Sequence, residues 1–233
     1  MLDGRTALIT GAGGNLGRAV AAAFAAAGAA LVLVGRSEAS LRPDYGAGDA
    51  RTMLVGADLS DSGAVAVAVG QALARFPRID IVCNIAGGFD MGPPVHQTSD
   101  ELWQRMFDLN VRTMLNTARA VVPGMRAARY GKIVNIGAMA GLAGKAHMGA
   151  YAAAKSSVIR LTESMSAELR DDGINVNCVL PSIIDTPQNR TAMPKADPRR
   201  WVSPAALADV VLFLASDQSA AIHGAAIPVT GLV

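Results

Sequence analysis

Two side chains of complementary acid–base character stand four residues apart in this chain. Tyr151 and Lys155 lie within "IVNIGAMAGLAGKAHMGAYAAAKSSV", residues 133–158. On a helix, residues at that spacing share a face, so the phenol and the ammonium can reach one pocket. A free phenol has a pKa of about 10, too high for brisk proton exchange at neutral pH. A neighbouring ammonium favours the phenolate and brings that value down. The pair therefore suits proton delivery. The residues just upstream, Gly137-Ala138-Met139, carry no hydroxyl, so chemistry here uses tyrosine and lysine alone or a donor from elsewhere. An isolated Tyr/Lys pair of this kind is also an ordinary helix surface, and its surroundings decide between the two.

Those surroundings alternate between short apolar runs and helical segments. The runs at Thr6–Thr10, Leu31–Gly35, Thr52–Val55, Ile79–Cys83, Lys132–Ile136, Asn175–Leu180 and Ala226–Val229 read as strands buried on both faces, the mark of a parallel sheet. Between them the pattern predicts helices over Leu16–Ala27, Ser62–Arg75, Asp100–Val122, Ala150–Leu169 and Pro204–Ala215. Alternation of this length implies right-handed βαβ units in one doubly wound α/β domain of about seven strands, with helices on both faces. The irregular segment 187–202, rich in proline and charge, reads as a loop covering a ligand crevice. "TALITGAGGNLGRAVAAAF" joins the first strand to its helix through Gly11, Gly13, Gly14 and Gly17. Such a turn lets the backbone approach a pyrophosphate, and the helix N-terminus behind it supplies amides and a positive dipole end.

Composition narrows the class. The 233 residues suffice for one large domain, 51% hydrophobic but only 4% aromatic, and the formal charge of +2 offers no basic face for nucleic acid. Arg199-Arg200 with Trp201 is too small a cluster to change that. Cys83 and Cys178 have no metal-ligand spacing and sit in apolar runs as small hydrophobes. The uncharged stretch Ala19–Gly35 is mostly alanine and is interrupted by Gly28, which fits helix, turn and strand better than a membrane span. With no signal-peptide pattern at the N-terminus, the expectation is a cytoplasmic protein with no membrane, metal or nucleic-acid partner.

Several motifs together resemble the short-chain dehydrogenases/reductases, over essentially the whole chain. Thr10-Gly11-x-x-x-Asn15-x-Gly17 is similar to the family's TGxxxGxG turn, with Asn15 in place of glycine; asparagine tolerates positive φ, so the turn survives. Asp58-Leu59 matches the adenine contact. Asn84, Ala86 and Gly87 match NNAG, with Ile85 replacing an asparagine. Asn110 corresponds to the helix asparagine that organises the active-site water, and Tyr151 and Lys155 match YxxxK. Pro181 to Thr186, with Ile184 between, resembles PGxxxT, the segment that holds the nicotinamide carboxamide. The resemblance implies a Rossmann-type fold, a nicotinamide cofactor spanning Gly11, Asn15 and Leu16, and a homotetramer or homodimer built on the two long helices.

Two departures shape the functional expectation. At the end of strand two, where an NAD enzyme has an acid for the ribose 2′-hydroxyl, this chain has Gly35 and then Arg36. A guanidinium there suits a 2′-phosphate and favours NADP, with NAD as the alternative. The family's serine, thirteen residues before the tyrosine, is Ala138. That serine steadies charge on a carbonyl oxygen, and losing such a donor costs about 2.7–4 kcal/mol in comparable sites. One branch with alanine there, the dihydropteridine reductases, is similar in "CNIAGGF" and in LPxxxDTPxNRxxMPxADxxxW. The expected activity is hydride transfer to a conjugated acceptor such as a quinonoid pterin, imine, quinone or carbonyl. The alternatives are a nucleotide-binding sensor without turnover, or a ketone reductase with another donor such as His147. Asn189 and Trp201 either line the substrate pocket, Trp201 by stacking, or pin their loop to the core.

Overall fold

A computed structural model describes residues 1–233. Its seven strands form one parallel sheet in the order β3-β2-β1-β4-β5-β6-β7: β1 Thr6–Thr10, β2 Ala30–Gly35, β3 Thr52–Gly56, β4 Ile81–Asn84, β5 Gly131–Ile136, β6 Ile174–Pro181 and β7 Ala226–Val229. The chain reverses direction across the sheet between β1 and β4, and open sheets of this type bind ligands in the crevice at such a point.

Alternate strand residues feed two cores, as the period of two requires. On one face Ala7 and Ile9 pack with Leu16, Val20 and Phe24 of α1 (Asn15–Ala26) and with Leu207, Val211 and Leu214 of α8 (Pro204–Ala215). On the other, Leu8, Val82 and Ile133 meet Val65 and Val69 of α3 (Ser62–Arg75) and Val121 and Met125 of α5 (Thr113–Ala128). A smaller cluster joins Met106 of α4 (Asp100–Phe107) to Ala154 and Val158 of α6 (Gly149–Leu169), with Cys178 and Leu180 of β6. It forms the floor beneath Tyr151.

Three segments differ from the sequence expectation. The helix expected over Asp100–Val122 is broken by a π-helical turn at Asp108–Arg112, which separates α4 from α5 and contains Asn110. A helix that the apolar pattern gave no sign of, α2 (Glu38–Tyr45), follows β2; Ser37 caps it, and Leu41 is its one buried residue. Segment 187–202 is irregular only in part, over 193–197 and 201–202. It opens with α7 (Pro187–Ala192), with proline in the first turn and the Thr186 hydroxyl as N-cap, and closes with a 3₁₀ turn at Pro198–Arg200.

Candidate active site

The glycine turn binds through backbone. Gly11 has φ +65°, and a Cβ on it would lie 2.9 Å from the Ala86 backbone, so only glycine fits between the first and fourth strands. Gly14 precedes α1 and supplies no side-chain cap, leaving the first amides of a twelve-residue helix available to an anion. Asn15 is not in a positive-φ conformation, contrary to the sequence argument. It is the first residue of α1, and the left-handed geometry falls on Gly11. Its amide donates to Gln188 Oε1 of α7 at 2.9 Å and accepts from Arg18 at 2.9 Å. Leu16 points into the core, so only its backbone faces the turn.

From this turn a cleft of about 1090 Å³ runs along Gly35, Arg36, Asp58, Leu59, Ala86 and Gly87. A side chain at Gly35 would collide with Leu41 of α2, which accounts for the missing acid at the end of β2. Arg36 is exposed on the cleft. The Ser60 hydroxyl and amide, at 2.7 and 2.9 Å, hold the Asp58 carboxyl below the ordinary carboxylate range. The glycine cradle, the uncapped helix end and the volume of the cleft all fit a dinucleotide.

The catalytic end is organised by buried amides. Thr10 Oγ1 accepts from the Ile85 and Ala86 amides at 3.0 and 3.1 Å, which ties β1 to the turn after β4. Asn84 lies inside the sheet, donating to Asn135 at 2.8 Å, and Asn135 donates to Thr162. Asn84 therefore braces strands rather than reaching into the cleft. Asn110 is buried, with Nδ2 donating to Gly88 O and Met106 O at 3.0 and 2.9 Å while Oδ1 accepts from Gly88 N at 3.2 Å. A Cβ on Gly87 would sit 2.8 Å from Asn110 Oδ1 and 3.4 Å from Lys155 Nζ; the three residues meet at one point. Lys155 is 6% exposed and donates to Ile136 O at 2.8 Å.

The ionisation of the pair differs from the sequence expectation. Burial pushes the Tyr151 phenol up to about 12 and pulls the Lys155 ammonium down to about 8. The ammonium is turned toward Ile136 O and lies 6.0 Å from the Tyr151 ring centre. At that distance the loss of water outweighs its attraction for a phenolate. The phenol is therefore held protonated, the form a proton donor needs.

Ala138, 6% exposed, precedes a 3₁₀ turn at Met139–Gly141 and accepts from Gly141 N at 2.9 Å. Its neighbour Gly137 cannot carry a hydroxyl either, because a Cβ there would lie 2.6 Å from Leu180 Cδ2 and 2.8 Å from Cys178 Sγ. His147 Nδ1 lies 3.2 Å from Gly92 O, so its ring engages backbone. The Thr186 hydroxyl accepts from Asn189 N at 3.2 Å and keeps its own proton to donate. Asn189 spends its amide on Ile184 O at 2.8 Å. Trp201 is 7% exposed and offers no free face for stacking. These last two residues pin their segment to the core, as does the bridge between Ile184 and Val202. Pro181 ends β6 opposite Val229. No group of three or more His, Cys, Asp or Glu side chains is placed to hold a metal ion.

The short chain dehydrogenase family model matches residues 5–197. The chain belongs to the short-chain dehydrogenases. It is 37% identical over 185 residues to a sorbitol dehydrogenase of Cereibacter sphaeroides, covering 79% of this chain and 72% of that one. It is 31% identical over 240 residues to a 3-oxoacyl-[acyl-carrier-protein] reductase of Vibrio cholerae, covering 99% and 97%. Among solved structures, a 3-ketoacyl-(acyl-carrier-protein) reductase from Brucella melitensis complexed with NADH superposes with a TM-score of 0.89 at 29% identity, covering 99% and 98%. The protein is thus a nicotinamide-dinucleotide oxidoreductase of this family.

Three contacts had no sequence signal. Arg18 reaches back to Gly13 O at 3.0 Å. Gln188 ties α7 to Asn15. Phe89 packs edge-on to Tyr151 with ring centres 4.9 Å apart.

Proposed function

We propose that this short-chain dehydrogenase is a reductase of small conjugated acceptors, a quinonoid pterin, imine, quinone or conjugated carbonyl, with NADPH as preferred cofactor and NADH second. One observation carries the reading: Tyr151, held protonated, shares α6 with Lys155, which meets Asn110 at Gly87, and there is no hydroxyl at 137 or 138. When bound, the nicotinamide supplies a hydride. Tyr151 gives its phenolic proton to the acceptor heteroatom that gains the electron pair. Lys155, still charged below pH about 8, stabilises the phenolate left behind and grips the ribose. Asn110 fixes the turn at Gly87–Gly88 beside Lys155, and the Tyr151 phenolate regains its proton from solvent. In a conjugated acceptor the incoming charge spreads over several atoms, so one fixed donor matters less than the 2.7–4 kcal/mol or so it contributes at a localised oxyanion.

Gly11, Asn15 and Leu16 bracket the pyrophosphate, and Asp58 and Leu59 hold the adenine. Ala86 and Gly87 lie along the cofactor, while Pro181, Ile184 and Thr186 receive the carboxamide, to which Thr186 donates. Arg36 meets the 2′-phosphate; its exposure on the cleft and the absence of a carboxylate at Gly35 support NADPH. Segment 187–202, led by α7, covers the substrate. Helices α4 to α6 form the contact of a homodimer or homotetramer.

A nucleotide sensor without turnover is the second reading, favoured by Ala138 alone. Tyr151→Phe separates the two. As a reductase, the variant loses at least about 100-fold in turnover, the scale of general acid catalysis, with NADPH affinity within a few-fold of wild type. Tight binding with no turnover in either protein overturns the reductase.

A further inference from the structure

The strap Gly88–Gly92 is fastened at both ends and at its middle. Gly88 exchanges two hydrogen bonds with the Asn110 amide, at 3.2 and 3.0 Å. Gly92 N donates to His147 O at 2.7 Å, and His147 Nδ1 lies 3.2 Å from Gly92 O, a bond that places the ring proton on Nδ1. Between them Asp90 pairs with Arg105 of α4. His147 holds φ +63°, one of two non-glycine residues in the left-handed region, a conformation that surrounding contacts must maintain. Despite this anchoring, the strap exposes two large apolar side chains. Phe89 is 57% and Met91 55% exposed, and Phe89 stands edge-on to the Tyr151 ring at 4.9 Å and 89°.

The fastened strap thus keeps an aromatic ring in water beside the proton donor. We infer that Phe89 and Met91 form the wall that receives a flat, apolar ring of the acceptor, and that His147 is a positioning residue that holds this wall through Gly92. The inference rests on the proposed reductase and narrows its substrate to a planar ring. An aromatic face selects flat π-systems over saturated ones, and methionine adapts to their outline. It also gives His147 a role other than proton donor.

The test uses 2-methyl-1,4-naphthoquinone as probe. Its Kd is measured by calorimetry on the NADP⁺-loaded protein, and its KM and kcat in NADPH oxidation. Phe89→Ala should raise Kd and KM about ten-fold and change kcat less than three-fold, with Phe89→Leu in between. His147→Gly, which accepts the left-handed backbone but lacks the ring, should move KM in the same direction. His147→Asn, able to donate to Gly92 O, should restore it. An unchanged Kd in Phe89→Ala, or a wild type that does not bind the quinone, overturns the wall. A KM raised as far in His147→Asn as in His147→Gly overturns the positioning role. Wild-type binding without turnover, with the Phe89 ratio intact, removes the reductase reading and leaves the wall standing.

Discussion

Restoring a hydroxyl at Ala138 bears most sharply on how this site works. The residue is buried and extended, with φ −165° and ψ 156°, so Ala138→Ser adds one oxygen without altering the backbone. Were that oxygen to reach the acceptor as an oxyanion donor, about 2.7–4 kcal/mol would be available to a localised carbonyl. Part is lost to competition. Ala138 occupies the N-cap position of the turn Met139–Gly141, and a serine there can accept from a turn amide, a bond worth about 1 kcal/mol. The remaining 2–3 kcal/mol or so corresponds to roughly 30- to 150-fold in kcat/KM for a saturated cyclic ketone. For a quinonoid acceptor, whose charge is already spread, the gain should stay below about three-fold on the same reasoning. The assay compares kcat/KM for both acceptors in wild type and variant, with NADPH affinity as the control. An equal gain on both acceptors, or none on the ketone, refutes the idea that Ala138 marks a class of substrate. Gly137→Ser should instead destabilise the fold by about 1–3 kcal/mol in thermal unfolding, since Leu180 and Cys178 already fill its space.

Further expectations follow from individual groups. Arg36→Ala should weaken NADPH about ten-fold in fluorescence titration and leave NADH within two-fold, because only the 2′-phosphate loses a charge-assisted bond; equal losses would place Arg36 outside that contact. Lys155 has its pKa lowered to about 8, so its charged form is present below that pH and lost above it, whereas Tyr151, raised to about 12, stays protonated throughout. The reductive kcat/KM should therefore fall above pH about 8, with a limb that Lys155→Arg removes; a profile flat to pH 10 or so contradicts this. Asn110→Leu strands Gly88 N and two carbonyls. At about 2 kcal/mol it should lower Tm by roughly 4–8 °C, measured by calorimetry.

Much of the architecture is legible in the sequence because parallel strands declare themselves as apolar runs. β1, α3, α8 and β7 fall on the residues read for them, and the glycine turn falls between β1 and α1. What stayed hidden depends on tertiary context. α2 is polar around its single buried Leu41 and contains Pro43, so neither propensity nor periodicity marks it. The π turn at Asp108–Arg112 adds one residue to a helical pattern whose apolar spacing barely changes. Asn15 looked like a positive-φ site by analogy, yet the left-handed geometry belongs to Gly11, where the turn starts. The phenol's upward shift could not be read from a Tyr-x-x-x-Lys spacing, because it follows from burial. For Trp201 the sequence left stacking and pinning open, and its burial beside Val202 selects pinning. Phe89, an apolar residue in a glycine-flanked loop, carries no signal until Tyr151 is beside it in space.

The most direct test of the central claim is the initial rate of NADPH and NADH oxidation by the purified protein, offered a quinonoid dihydropterin and a naphthoquinone beside saturated ketones. The account predicts fast turnover of the conjugated acceptors, at least about 100-fold above the ketones in kcat/KM, the scale set by the donor that Ala138 lacks. Saturated ketones reduced as readily as the conjugated acceptors would contradict it.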